Sequence, residues 1–187
     1  MDKPLTLVEH LAELRKRILI SLTILGITSL LSFPLAGKLL EVLKLPAGGL
    51  IGRLAFFSPE EALVIYLRIA LLCGLVISLP VILYQLWAFI SVAIEKRFRQ
   101  RTAYFIVFCF WAFILGCLFA YFILIPPALK FLLGFADEHL EPVISAGKYI
   151  SFIIGLILAC GLVFQMPVLS FIFTKIGIIH PRMLRKK

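Results

Sequence analysis

Glu9 and Glu13 lie four residues apart in a charged opening segment that also carries Arg15, Lys16 and Arg17. On a helix, carboxylates at that spacing project near one face. Such a face binds cationic groups, and guanidinium best, because its planar fork matches carboxylate geometry. A plainer role competes with this one. Thr6 and Glu9 have the spacing of a capping box that starts a helix near Leu7. Glu13 would then pair with Lys16 or Arg17 as a surface ion pair worth about 0.2–0.5 kcal/mol.

A second polar group stands far along the chain. Gln165 is set in an apolar run, two residues before Pro167. A polar side chain at membrane depth is costly and faces other protein or water. Two roles are open. The Gln165 amide can satisfy the Val163 carbonyl that Pro167 leaves without its donor, or it can serve a function.

The residue pattern points away from other chemistry. Cys73, Cys109, Cys117 and Cys160 all fall inside apolar runs without metal-ligand spacing, and suit packing as small hydrophobes. His10, His139 and His180 are isolated near the edges of those runs. There is no His-Glu-x-x-His zinc pattern and no Gly-x-Ser-x-Gly elbow. No metal, cofactor or catalytic set is expected.

The elements that position these groups are mostly apolar. Of 187 residues, 62% are apolar and 16% charged, against about 45–50% and about 25% in a soluble domain. Four runs, at about 18–36, 59–91, 103–125 and 149–174, are long enough to cross a bilayer. The second has an amphipathic lead-in before Ile69. Lipid offers backbone groups no partners, so the runs must be helices, and they lack the alternation of barrel strands. The expected fold is all-α: a polytopic bundle of four spans forming one membrane domain over residues 1–187. The first run is not expected to be a cleaved signal, because a charged amphipathic segment precedes it and the run itself is long enough to span.

Orientation follows from the basic residues. Lys3, Arg15, Lys16 and Arg17 precede the first span, Lys96, Arg97, Arg99 and Arg101 separate the second and third, and Lys175, Arg182, Arg185, Lys186 and Lys187 follow the fourth. The opposite side holds Lys38, Lys44, Arg53, Arg68, Lys130 and Lys148. The richer side is expected to be cytoplasmic, with both termini. The net charge of +9 then reflects topology and contact with anionic lipid, and no nucleic-acid partner is expected.

Prolines punctuate the runs. Ser58-Pro59-Glu60-Glu61 is a helix start, with Ser58 as N-cap and Glu61 at the capping-box position. Pro80 predicts a bend in the second helix, with Tyr84 and Trp87 at an interfacial aromatic belt. Pro126-Pro127 is expected to end the third helix, before an exposed loop carrying Asp137, Glu138 and Glu141.

Several of these stretches together resemble the TatC family, the twin-arginine translocase receptors. They are Glu9-His10-Leu11-Ala12-Glu13-Leu14-Arg15-Lys16-Arg17, Ser58-Pro59-Glu60-Glu61, and the run from Leu79-Pro80 through Tyr84-Gln85-Leu86-Trp87 to Phe89-Ile90. Phe119-Ala120-Tyr121-Phe122 with Pro126, and Phe164-Gln165-Met166-Pro167, complete the set. The motifs run in order over essentially the whole chain.

The resemblance implies a non-enzymatic inner-membrane receptor that binds twin-arginine signal peptides and initiates export of folded proteins, driven by the proton-motive force. Its implied partners are TatA, TatB and other TatC copies. By the same resemblance Glu13, Arg15, Arg17 and Phe89 belong to the peptide-binding face, Gln165 is an intramembrane functional position, and Pro46, Pro59, Glu61, Pro80, Pro126 and Pro167 are structural. Glu95 is expected to project toward the same pocket if residues 94–99 are helical, or else to pair with Arg99. Three departures stand out. Where the family's cytoplasmic loop has proline and then glutamate, this chain has Val92 and Phe98, leaving Glu95 as the nearby carboxylate. The family often has glutamate at the position of Gln165. The family also has six helices, so a four-helix chain implies a fragment, a truncated product or a divergent short form. An inactive fragment is one alternative reading. A small-solute transporter is another, with Gln165 as its one mid-membrane polar group.

Overall fold

A computed structural model of the chain describes residues 7–48, 54–90, 102–134, 143–168 and 170. Within them the protein is helical. Six α-helices follow in order: α1 Leu7–Ser32, α2 Ala36–Lys44, α3 Pro59–Ile90, α4 Thr102–Phe119, α5 Ile125–Leu133 and α6 Ala146–Val163. Four helical stretches are long and apolar enough to cross a membrane, as composition predicts. Thr6, Glu95 and the acidic loop 137–141 lie outside the described residues.

α1 runs without interruption from the charged opening segment into the first span. It packs chiefly on α3, while α4 packs on α6 and α3 touches both. The α1–α3 crossing is close because of Gly74. Thr28 Oγ1 donates to the Gly74 carbonyl at 3.0 Å, and a Cβ at Gly74 would come within 2.6 Å of the Ser29 backbone nitrogen. Outward, Leu19, Leu22, Ile27, Leu30 and Leu31 stay exposed, as an apolar helix bathed in lipid requires.

The buried core gathers at the end of the bundle where α3 begins. Leu43 and Ala47 from α2 and the turn after it meet Ile65 and Ile69 of α3, Ile125 and Leu129 of α5, and Ile150 and Ile153 of α6. A helix leaves its last carbonyls without intrahelical donors. Two tyrosines answer this at the end of α2: Tyr121 donates to the Val42 carbonyl at 2.7 Å and Tyr149 to that of Leu43 at 3.0 Å. Pro46 sits in the single 3₁₀ turn that follows, closed by Gly48 at φ 53°, a conformation that favours glycine.

The prolines of the spans act differently from one another. Pro59 opens α3 and Pro80 lies inside it, where the missing N–H loosens the ladder. Pro126-Pro127 does not end the third span. A π turn at Ala120–Leu124 leads into α5, with the prolines in its first turn. The wider π turn, closed by the Ile125 N–H on the Ala120 carbonyl, accommodates the two residues that lack an N–H. The helical path therefore continues to Leu133.

Glu61 does more than cap its own helix. Its Oε2 accepts from the Phe57 N–H at 2.7 Å. Its Oε1 accepts from Ser145 Oγ at 2.5 Å and from the Gly147 N–H at 2.7 Å. Ser145 is the N-cap of α6 and accepts from the Lys148 N–H. One carboxylate thus ties the start of α3 to the start of α6. Beside it, Ala55 exchanges backbone hydrogen bonds with Ile144 and Ala146.

Candidate functional site

At the opposite end, α1 and α3 form a mostly apolar groove of about 290 Å³, lined by Leu14, Ile18, Leu22, Ile82 and Leu86 among others. Helical periodicity brings the polar groups to its mouth. His10, Glu13 and Arg17 recur every three or four residues on α1, as Gln85 and Phe89 do on α3. The His10 ring stacks on Phe89, with centroids 4.5 Å apart and planes at 23°.

Glu13 and Arg17 are joined and about equally open, at 24% and 22% side-chain exposure. Arg17 Nε and Nη2 both donate to Glu13 Oε1, at 3.1 and 2.5 Å. Arg17 Nη1 donates to Gln85 Oε1 on α3 at 3.1 Å. The guanidinium is therefore anchored on α3 and fixes the orientation of the carboxylate on α1. Among the described residues, no side chain donates to Glu13 Oε2. That oxygen can accept a further charge-assisted bond from an incoming cation without breaking the existing pair.

Other expected site residues lie apart from this network. Arg15 is exposed on another flank of α1, lining a shallow groove with Lys16, Leu19 and Thr23. Glu95 lies outside the described residues. Gln165 sits between α6 and α4, where its Nε2 donates to the Cys109 carbonyl at 2.7 Å. It does not repair the Val163 carbonyl. The helix ends at Val163, and the Phe164 and Gln165 N–H groups turn back to Cys160 and Leu162, so the amide is left to reach the neighbouring helix.

Gln85 and His10 are the additions. The signal for Gln85 was present: it is a polar residue in an apolar run, one turn before Phe89. By sequence His10 is an isolated residue near the edge of an apolar run, and only the α1–α3 packing gives it a ring partner.

Fold and site together define a polytopic helical membrane protein with a structured, charged groove mouth at one end of its bundle. The family model described as Sec-independent protein translocase protein, TatC, matches residues 9–187, and the chain belongs to this family. It is 40% identical to the TatC of Aquifex aeolicus over 97% of this chain and 76% of the relative. It is 36% identical to that of Carboxydothermus hydrogenoformans over 99% of this chain and 76% of the relative. A solved structure of a twin-arginine translocase receptor TatC superposes with a TM-score of 0.85 at 39% identity, covering 94% of this chain and 79% of that one. The protein is thus a membrane component of a protein translocase rather than an enzyme or a solute carrier.

Proposed function

We propose that the groove mouth binds the arginine pair of twin-arginine signal peptides, with Glu13 as the carboxylate that meets a guanidinium. The observation that carries this is Glu13 itself: one oxygen is held by Arg17, itself anchored on Gln85, and the other takes no hydrogen bond among the described residues. Guanidinium suits that oxygen better than ammonium does. Glu95 serves as a second carboxylate in the segment that follows α3, and Phe89, already stacked on His10, forms an aromatic wall. Arg15 contributes from its own flank. The end bearing Glu13 faces the cytoplasm, where signal peptides are presented. TatA, TatB and further TatC copies assemble around this subunit.

The test is direct binding of a twin-arginine peptide and its twin-lysine counterpart to the purified chain. Glu13→Gln keeps size and removes charge. Twin-arginine affinity is expected to fall by roughly tenfold or more, since a hydrogen bond to a charged group is worth about 1.5–3 kcal/mol. Twin-lysine binding should hardly change. Unchanged twin-arginine affinity would remove Glu13 from the site.

A further inference from the structure

The groove at the other end of the bundle, beside the start of α6, has a volume of about 800 Å³. Phe57, Val64 and Val143 supply its apolar lining, and Arg68, Lys148, Ser151 and Glu61 are among its polar groups. Arg68 Nη1 donates to Ser151 Oγ, which in turn donates to the Gly147 carbonyl. The guanidinium is therefore positioned by α6 while its side chain stays exposed. Lys148, one turn before Ser151 on α6, is exposed as well.

Among the described residues neither cation forms an ion pair with a carboxylate. The one carboxylate lining the groove, Glu61, already accepts from Phe57, Ser145 and Gly147. The ion pair of Glu13 with Arg17 is the only one among the described residues. An arginine facing the membrane needs a counter-charge or water.

Depth says which counter-charge is at hand. Arg68 and Trp87 lie on the same helix. Between them it rises roughly 29 Å at about 1.5 Å per residue, close to the hydrocarbon thickness of about 30 Å. With Trp87 at one interface, Arg68 reaches the phosphate layer of the other. Below it Leu71 is 54% exposed, a surface for acyl chains.

We infer that Arg68 and Lys148 bind the phosphate of an anionic phospholipid in the leaflet where α3 begins, its chains lying along α3. The lipid then braces the joint that Glu61 makes between α3 and α6. This site does not depend on peptide recognition at Glu13.

Native mass spectrometry of the full chain, released from mild detergent with phosphatidylglycerol or phosphatidylcholine of matched chains, tests the inference. The wild-type chain should retain phosphatidylglycerol preferentially. Arg68→Gln with Lys148→Gln should reduce that retention by roughly tenfold or more, the loss expected for one or two charge-assisted bonds. Millimolar inorganic phosphate should not displace the lipid. Equal retention of both lipids, or retention unchanged in the double variant, would overturn the site. Displacement by inorganic phosphate would also overturn it, in favour of a free-anion site. Should the double variant fail to fold, Lys148→Glu at an exposed position gives the same decision: retention must fall.

Discussion

A guanidinium beside a carboxylate ordinarily adds little, because a partly exposed ion pair is worth about 0–1 kcal/mol. In the proposed site the pair matters through direction. Gln85 holds Arg17 from α3, so Glu13 is presented rather than left to sample rotamers. Gln85→Leu is therefore expected to weaken twin-arginine peptide binding about threefold to tenfold by loosening Arg17. Gln85→Glu keeps an acceptor for Arg17 and should retain binding. Calorimetric titration of both variants, with thermal unfolding measured in parallel, separates this from a folding defect. Loss of binding matched by loss of folded protein would make Gln85 merely structural.

Two helix pairs define the element scale. Gly74 lets α1 lie against α3 so closely that any Cβ would press on the Ser29 backbone. Backbone cannot move aside as a flexible side chain can, so Gly74→Ala should cost about 1–3 kcal/mol and lower the unfolding midpoint in detergent. An unchanged midpoint would show that the crossing has slack. The α4–α6 pair carries the link from Gln165 to Cys109. The Cys109 carbonyl also has its own place in the helical ladder of α4, so losing the amide leaves no orphaned acceptor. Gln165→Leu is accordingly expected to reduce export of a twin-arginine reporter more than it reduces the amount of folded protein. Proportional losses would assign Gln165 to structure alone.

Across the whole molecule, burial is uneven. The core of α2, α5 and the first turns of α3 and α6 closes one end, and the Glu61 clamp fastens it. The paired groove mouth lies at the other, near the basic segment at 15–17. The charge asymmetry predicts that this second end faces the cytoplasm. Single cysteines at Gly48 and Arg97, in a chain with its four cysteines replaced by alanine, test the orientation. A membrane-impermeant thiol reagent applied to intact cells should label position 48 and spare position 97; the reverse pattern would invert the protein and with it the site's access to cargo.

Composition and run length alone determined that this chain is a four-span helical bundle. Lipid leaves backbone polar groups no other solution, so no tertiary information was needed. Motif order brought the TatC resemblance with it, and Glu13, Gln165 and the prolines were legible because each breaks the surrounding pattern. What Glu13 touches was not legible. Lys16 and Arg17 offer it similar spacing, and only the packing of α1 on α3 selects Arg17, by supplying Gln85 on the far side. Likewise Pro126-Pro127 has the local form of a helix stop, yet a π turn one step earlier absorbs the missing donors. Glu61 has the spacing of a local cap, but its second oxygen reaches Ser145 and Gly147, distant in sequence. Local propensity governs where a helix can start or stop; which of a side chain's possible partners it meets is settled by the neighbouring helix, and so by the tertiary fold alone.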